Sequence, residues 1–220
     1  MRSLVVAPHP DDEVLGAGGT LLRRKAEGGS LAWLIVTSVS AEFGWSHEEV
    51  SRRRDEITQI KKIFGFEKVY ELGFPTTQLD RVPVNKLVSA VSNAISDFSP
   101  DEIFVPHPAD IHSDHRTTFD VVASCTKWFR SGSVKRILAY ETLSETEFGL
   151  DPIKRFQPNF FVNIENYLED KISAMNVYAS EVREFPFPRS DEALSALATL
   201  RGANSGFKAA EAFELLREIC

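Results

Sequence analysis

Near its beginning the chain reads SLVVAPHPDDEVLGAGGTLL, from residue 3 to residue 22. The first five of these residues, Ser3–Ala7, form a short apolar run of the kind that makes a buried strand. Apolar residues then recur at helical spacing from Val14 to Leu22. Between these two segments lies Pro8–Glu13, a polar turn that two prolines stiffen. The stretch therefore predicts a strand, a rigid polar turn and a helix, which together begin a strand–helix–strand unit.

The same alternation continues along the chain. Further apolar runs with strand character cover residues 31–37, 68–72, 102–106, 136–140 and 159–164. Helical periodicity fills the intervals, with helix ends expected near Gly28, Gly65 and Pro100, and with a fourth helix around Phe119–Trp128. Units of about 30 residues that alternate strand and helix predict an α/β fold. We expect a Rossmann-like open, mostly parallel sheet that is flanked by helices.

The C-terminal part of the chain has a different pattern. It indicates three helices, over Tyr167–Ala179, Asp191–Leu200 and Ala209–Ile219, with a proline-rich loop at residues 185–188. The chain contains no repeat and no Gly/Ser linker. We therefore predict a single domain over residues 1–220, with a sheet-forming core over about 1–164 and a mainly helical C-terminal cap over about 165–220.

Composition excludes several classes of protein. The 220 residues include 25 basic and 32 acidic side chains, a net charge of −7, which argues against a nucleic-acid partner or a broad anionic-membrane footprint. No apolar run approaches the ~20 residues that a membrane span needs. The first residues read as a strand and lack the basic and apolar regions of a signal peptide, so we expect none. The two cysteines, Cys125 and Cys220, lie far apart and fit a reducing compartment. We therefore expect a cytoplasmic protein.

The histidines are unevenly distributed. Of the five, four fall in two short motifs: His9 in the turn after the first strand, and three more in PHPADIHSDHR, residues 106–116, after the strand 102–106. Parallel strands present their carboxyl ends at one edge of the sheet, where ligands bind in such folds. The two motifs are therefore predicted to form one composite site.

In the first motif, an imidazole and a carboxylate three positions apart, His9 and Asp12, can bind one divalent metal. Three protein ligands leave a position for water, as in catalytic zinc sites. The competing interpretation is a helix start, with Asp11 or Asp12 as N-cap and Glu13 in the first turn. Capping accounts for one acidic residue, but it does not account for a histidine with two adjacent aspartates.

In the second motif, His112 and His115 stand three positions apart with Asp114 between them. They can supply a third metal ligand, a catalytic imidazole and a carboxylate that orients it. Spacing alone leaves open which of the two histidines is the ligand. His107 is interpreted as a structural histidine that bonds to the backbone of its loop.

These motifs carry a resemblance to a known family. PHPDDE at residues 8–13, with HSDH at residues 112–115, resembles the LmbE/PIG-L family of zinc-dependent N-deacetylases. The Arg53-x-x-Glu56 helix is similar to one in that family, and residues 201–213 are similar to the tail of members that act on amino sugars. The chain departs from the family pattern at residues 37–42 and 73–77. Those departures concern the substrate more than the chemistry.

The resemblance implies an activity and a set of roles. The activity is removal of an N-acetyl group from an amino-sugar-containing small molecule of the N-acetylglucosamine type, with Zn²⁺ as cofactor and Fe²⁺ as the alternative. It implies His9, Asp12 and His115 as metal ligands and Asp11 as general base. His112 then fits the donor to the oxyanion or to the leaving amine. Asp114 is expected to orient that ring and to raise its pKa.

Other residues have weaker signals. In the run Arg52–Arg54, Arg53 is predicted to bind a substrate hydroxyl or phosphate, and the arginines on either side are predicted to be solvated. Phe43 and Trp45 either stack on a sugar or anchor their loop. For residues 185–189 the same choice arises, and packing of the cap is favoured. The glycines at 16–19 lack the dinucleotide-binding spacing and are interpreted as close helix–strand packing.

Two other hypotheses for the function remain at this stage. One is the same hydrolysis on another amide, such as a thiol conjugate or a peptide-like compound. The other is a metal-binding protein without catalysis, against which the presence of an unliganded carboxylate beside the ligands argues. A homo-oligomer is also expected, from the resemblance.

Overall fold

A seven-stranded sheet lies at the centre of the computed structural model, which describes residues 1–220. The strands are β1 Arg2–Ala7, β2 Ser30–Ser38, β3 Lys68–Pro75, β4 Glu102–Pro106, β5 Arg136–Tyr140, β6 Phe160–Asn163 and β7 Ala210–Glu218. Their spatial order is β3-β2-β1-β4-β5-β7-β6. The first five strands pair in parallel, and β7 pairs antiparallel with β5 and β6. The predicted α/β class with a mostly parallel sheet is confirmed.

Six helices cover both faces of the sheet. They are α1 Asp12–Ala26, α2 His47–Phe64, α3 Val84–Phe98, α4 Ser113–Cys125, α5 Leu168–Met175 and α6 Asp191–Ser205. Helices α1, α2, α5 and α6 contribute to the core on one face, and α3 and α4 to the core on the other. Successive residues of β2 alternate between them, with Trp33 in the first core and Leu34 in the second. None of the helices is both long and apolar enough to cross a bilayer.

The helix ends follow local sequence signals. Ser46 and Glu49 form a reciprocal capping box at the start of α2, and Gly65 ends that helix with φ 66°. Ser99 ends α3 in a left-handed conformation, just before Pro100. The helix ends expected at Gly65 and Pro100 are thus confirmed.

The predicted helix over Ala209–Ile219 is wrong, because this segment forms β7 and lies between β5 and β6. Its alanine, glutamate and leucine residues have good helix propensity. Pairing with the free edge of β5 overrides that propensity, since it buries residues 210–213 within the sheet. The sheet therefore does not end near residue 164, and the C-terminal region is only partly helical.

Glycines let α1 approach the sheet closely. A Cβ at Gly16 would overlap the ring of Tyr140, and one at Gly19 would lie 2.9 Å from side-chain atoms of Ile164. Helix–strand packing, and not a nucleotide, therefore explains these glycines, as the sequence predicted.

The centre of the sheet is a topological switch point. β1 is flanked by β2 and β4, so the chain leaves β1 in one direction and later returns to its other side. The segments that follow β1 and β4 open at the same carboxyl edge, which is where ligands bind in such sheets. Both histidine motifs lie on these segments.

Candidate active site

The segments after β1 and β4 bring together three side chains of types that can bind a metal. Asp12 Oδ2 lies 3.3 Å from His9 Nδ1 and 3.3 Å from His115 Nε2. Asp12 and His115 are buried, and the His9 side chain is 20% exposed. The two motifs thus meet in one site, and the three residues that the resemblance implied as ligands form a group able to hold a metal ion.

The chemistry of this donor set fits a divalent cation. His115 Nδ1 is 2.8 Å from Asp110 Oδ2. Since a carboxylate accepts hydrogen bonds, Nδ1 of this ring carries a proton, and Nε2, which faces Asp12, is the nitrogen that would bind a metal in exchange for its own proton. Asp110 is fixed in turn by the hydroxyl of Thr146, which donates to Oδ1 at 2.7 Å. Two imidazole nitrogens and one carboxylate oxygen form a set that suits both Zn²⁺ and Fe²⁺.

The electrostatics of the cluster also favour a positive charge. Burial opposes the charged form of His9, yet the hydrogen bonds that its ring donates to Asp114 and Asp12 outweigh that effect and raise the pKa of His9 to about 9. In the same way, the charges of Asp12 and Asp110 overcome burial and raise the pKa of His115 to about 10. Burial also opposes ionisation of Asp12, but His115 and His9 hold its pKa well below the usual value. The carboxylates thus retain positive charge on the imidazoles, and a divalent cation would replace it.

Asp11 lies beside this cluster and outside it. It occupies the N-cap position of α1 with φ 133°, but its side chain caps no amide of the helix, so the capping interpretation is wrong for this residue. Its Oδ2 accepts a hydrogen bond from Arg189 Nη1 at 2.8 Å. Burial raises the pKa of Asp11 to about 7, and the charge of Arg189 opposes that rise.

A buried pair fixes the backbone of Asp11. The carboxylate of Glu13 accepts the Asp11 N–H at 3.0 Å, and the hydroxyl of Tyr178 donates to Glu13 at 2.6 Å. All three residues are buried. This arrangement stabilises a backbone conformation that an aspartate seldom adopts.

Asp114 does not orient His112 through its carboxylate, so this prediction is wrong. The carboxylate contacts His9 Nε2 at 3.1 Å and accepts the backbone N–H groups of Thr77 and Leu79. His112 instead accepts the backbone N–H of Asp114 at its Nδ1, over 3.1 Å. At a helix start, adjacent side chains point in different directions, which explains the error.

The protonation of His112 also differs from the expectation. Burial and the neighbouring charges of His9 and His115 lower its pKa to about 4, whereas the sequence predicted a raised value. Because Nδ1 accepts a hydrogen bond, the neutral ring carries its proton on Nε2. His112 is therefore a neutral N–H donor on the wall of the cavity.

Two arginines approach the cluster from the other side. Arg53 donates to the Pro10 carbonyl at 2.9 Å and to Glu181 at 2.6 Å, so it reaches the site as predicted. Arg189 contacts Asp11 and also Glu181, the latter at 3.3 Å. Packing of the cap, which the sequence favoured for residues 185–189, is therefore wrong for Arg189. It and Glu181 were missed because no local pattern connects them to loops far away in the chain.

The cluster lies in an open cavity of about 200 Å³. Sixteen residues line it: His9, Pro10, Asp11, Asp12, Thr37, Ser38, Val39, Trp45, Arg53, Thr76, Thr77, His112, His115, Glu145, Glu181 and Arg189. The two segments that depart from the family pattern both contribute to its walls. Trp45 lines the cavity and Phe43 does not.

Other predicted residues lie outside the cavity. His107 is buried and accepts the backbone N–H of Ala109 at 3.3 Å, which agrees with its interpretation as a structural histidine. Arg52 and Arg54 are both exposed on α2, as expected for solvated residues.

Several known proteins are similar to this chain over most of its length. The diacetylchitobiose deacetylase of Thermococcus kodakarensis is 27% identical, over 96% of this chain and 81% of its own length. A Bacillus anthracis protein named "Probable N-acetyl-alpha-D-glucosaminyl L-malate deacetylase 2" is 20% identical, over 81% of this chain and 80% of its own. The crystal structure of a conserved protein from Thermus thermophilus has a TM-score of 0.79 and 30% identity, and the match covers 99% of this chain and 96% of that one.

The model of one protein family matches more than half of the sequence. It is described as "PIG-L: GlcNAc-PI de-N-acetylase" and covers residues 4–126, which include both motifs that contribute to the candidate metal site. The chain therefore belongs to the PIG-L family.

Proposed function

We propose that the protein is a metal-dependent N-deacetylase, which hydrolyses the acetamide of an N-acetylated amino sugar to acetate and a free amine. One observation carries this proposal. The donor atoms of His9, Asp12 and His115 surround one position, and the carboxylate of Asp11 lies beside them in the same cavity without joining the group. A protein that only binds metal has no need for such a carboxylate.

In this proposal His9, Asp12 and His115 hold the cation, with Zn²⁺ as the expected metal and Fe²⁺ as the alternative. When bound, the cation supplies Lewis-acid chemistry, withdrawing electron density from the acetamide carbonyl and from the attacking water. Asp11 takes a proton from that water at a carboxylate oxygen and acts as the general base. That proton is then available for the amine that leaves as the carbon–nitrogen bond breaks.

The surrounding residues support these steps. His112, as a neutral ring with its proton on Nε2, donates a hydrogen bond to the carbonyl oxygen as negative charge develops there. Arg189 orients the Asp11 carboxylate and favours its ionised form. Asp110 and Asp114 hold the rings of His115 and His9.

A sugar substrate is supported by the walls of the cavity and by the relatives. Thr37, Ser38, Thr76 and Trp45 line the cavity, and hydroxyl and indole groups of this kind bind sugar hydroxyls and sugar faces. One relative is named for diacetylchitobiose and another for an N-acetylglucosaminyl malate. We therefore propose an N-acetylglucosamine-type substrate.

The proposal also covers the cellular location and the oligomeric state of the protein. Cys125 and Cys220 are both free, as thiols are in the reducing cytoplasm, where we place the protein. A homo-oligomer stays a prediction, which light scattering on the purified protein would check.

The decisive experiment compares Asp11→Asn with the wild type. Metal content is measured first, and acetate release from diacetylchitobiose and N-acetylglucosamine is then followed with saturating Zn²⁺. We expect Asp11→Asn to retain the metal and to lose at least ~10²-fold in kcat, the usual contribution of a general base. Asp120→Asn, an exposed change on α4, is the control and should leave both quantities unchanged.

Two results would contradict the proposal. Wild-type turnover by Asp11→Asn with metal bound would remove the base assignment. If metal-replete protein released no acetate from any N-acetylated sugar, the proposed sugar substrate would be wrong. An assay with other amides would then distinguish a different amidase, which hydrolyses one of them, from a protein without catalysis.

A further inference from the structure

Both arginines of the cavity are already paired with carboxylates. Arg53 lies 2.6 Å from Glu181 and 3.3 Å from Glu56. Arg189 lies 2.8 Å from Asp11 and 3.3 Å from the other oxygen of Glu181. Glu181 therefore bridges the two guanidinium groups and occupies donors that would otherwise face a bound molecule.

The overall charge of the cavity also disfavours an anionic ligand. Its lining contains two arginines and four carboxylates, which are Asp11, Asp12, Glu145 and Glu181. Asp110 and Asp114 lie directly behind the imidazoles and add further negative charge. A divalent cation would only neutralise the lining, so an anionic substrate would find no net positive charge there.

We propose that Glu181 is a specificity-determining residue, which reserves the cavity for an uncharged N-acetylated sugar and excludes sugars bearing a phosphate or carboxylate group. This inference rests on the proposed deacetylase function. Arginine recognises such groups through paired N–H donors that point at the anion. In this cavity an anion would have to displace Glu181 and then lie near Glu145, and such like-charge contact discriminates against a ligand.

A third arginine, Arg54, lies near the cavity but offers an anion only a weak site. Arg53 and Arg54 both line an adjoining groove, in which Glu71 is the one carboxylate. Because Arg53 is already paired with Glu181 and Glu56, Arg54 is the arginine of that groove that an anion could meet. Arg54 also contacts solvent, and an ion pair in contact with water contributes little to binding.

The test measures kcat and KM for two neutral and two anionic substrates. The neutral pair is diacetylchitobiose and methyl N-acetylglucosaminide, and the anionic pair is N-acetylglucosamine 1-phosphate and 6-phosphate, which place the charge at opposite ends of the sugar. We expect the wild type to favour the neutral pair by at least ~10²-fold in kcat/KM, a discrimination within the range that like-charge contacts produce.

The variant Glu181→Gln keeps the shape of the side chain and removes its charge. We expect it to narrow the ratio of neutral to anionic kcat/KM at least tenfold, mainly by lowering KM for the phosphates. Any effect on Asp11 through Arg189 would alter kcat for all four substrates and would cancel in the ratio. Glu184→Gln, an exposed change three residues further along the same loop, is the matched control and should leave the ratio unchanged.

Calorimetric binding of the same four sugars to chelator-treated protein separates this inference from the proposed function. Binding of the neutral sugars alone, without hydrolysis of any, would support the role of Glu181 and remove the deacetylase. Equal hydrolysis or equal binding of neutral and phosphorylated sugars by the wild type would overturn the inference. The inference would also be overturned if Glu181→Gln and Glu184→Gln changed the ratio of neutral to anionic kcat/KM equally. Absence of both binding and turnover with every sugar would overturn it as well.

Discussion

Replacing Asp110 should weaken metal binding through His115, the proposed ligand that Asp110 contacts. Asp110 is fully buried, and its carboxylate joins His115 Nδ1 at 2.8 Å to the hydroxyl of Thr146 at 2.7 Å. It therefore keeps the ring proton on Nδ1, and it places a negative charge behind the ring that makes Nε2 a better electron donor. In Asp110→Asn the side-chain carbonyl preserves the first effect and loses the second, whereas Asp110→Ala loses both.

The size of the effect follows from these contacts. Partners that orient a metal-ligating histidine are worth about 10–100-fold in metal affinity, or about 1.4–2.8 kcal/mol. We expect Asp110→Asn near the lower value and Asp110→Ala near the upper one. The alanine variant also leaves a buried N–H of His115 and the O–H of Thr146 without an acceptor, which should lower the free energy of unfolding by about 1–3 kcal/mol. The Thr146 oxygen still accepts the backbone N–H of Thr142.

The assay needs no turnover. Protein freed of metal by dialysis against a chelator is titrated with Zn²⁺ in competition with a chromophoric chelator, and circular dichroism confirms that each variant is folded. Asp120→Asn, on the exposed side of α4, serves as the control with the same charge change. A folded Asp110→Ala protein that binds Zn²⁺ as tightly as the wild type would refute the reasoning, because His115 would then not be a ligand that Asp110 positions.

Two further predictions concern stability, measured by urea denaturation. Gly16→Ala places a methyl group into the buried ring of Tyr140 and should lower the free energy of unfolding by about 1–3 kcal/mol, the usual cost of overpacking, so an unchanged midpoint would contradict the packing described for α1. Glu211→Gln removes the charged partner of buried Lys171, 2.7 Å away, and should lower the free energy of unfolding by about 3–5 kcal/mol. The surface change Glu192→Gln is the control and should leave that free energy almost unchanged. Equal losses in the two variants would count against a buried ion pair.

Most of the fold could be predicted because its signals are local. A strand that is buried on both faces, such as β4, is a continuous apolar run, and a helix that covers a sheet shows its apolar face every three to four residues. The last strand could not be predicted in this way. Residues 210–218 favour a helix by propensity, and their strand conformation depends on pairing with β5, which lies far earlier in the chain.

In the candidate site, too, only the features with local sequence signals were predictable. The meeting of the two motifs was predictable because each follows a strand end and opens the next helix, so that both lie at the same edge of the sheet. The roles of His9, Asp12 and His115 as metal ligands came from the family resemblance and stay a prediction. The partners of these residues were not predictable, since Arg189 contacts Asp11 across 178 positions of sequence. The true partner of Asp114 was missed for a related reason, because sequence proximity to His112 says nothing about where a side chain points.

The candidate metal ligands and several charged residues of the cavity wall come from different parts of the chain. The residues that would hold the metal and supply the base all lie between His9 and His115. Three charged residues of the cavity wall, Glu145, Glu181 and Arg189, follow the second motif in the chain. Tyr178, in the region first interpreted as a cap, also holds the glutamate that fixes the backbone of Asp11. The later part of the chain can therefore change the charge of the cavity by single substitutions while the ligand geometry stays intact. Proteins with the same two loops can then share one reaction and differ in the sugars they accept.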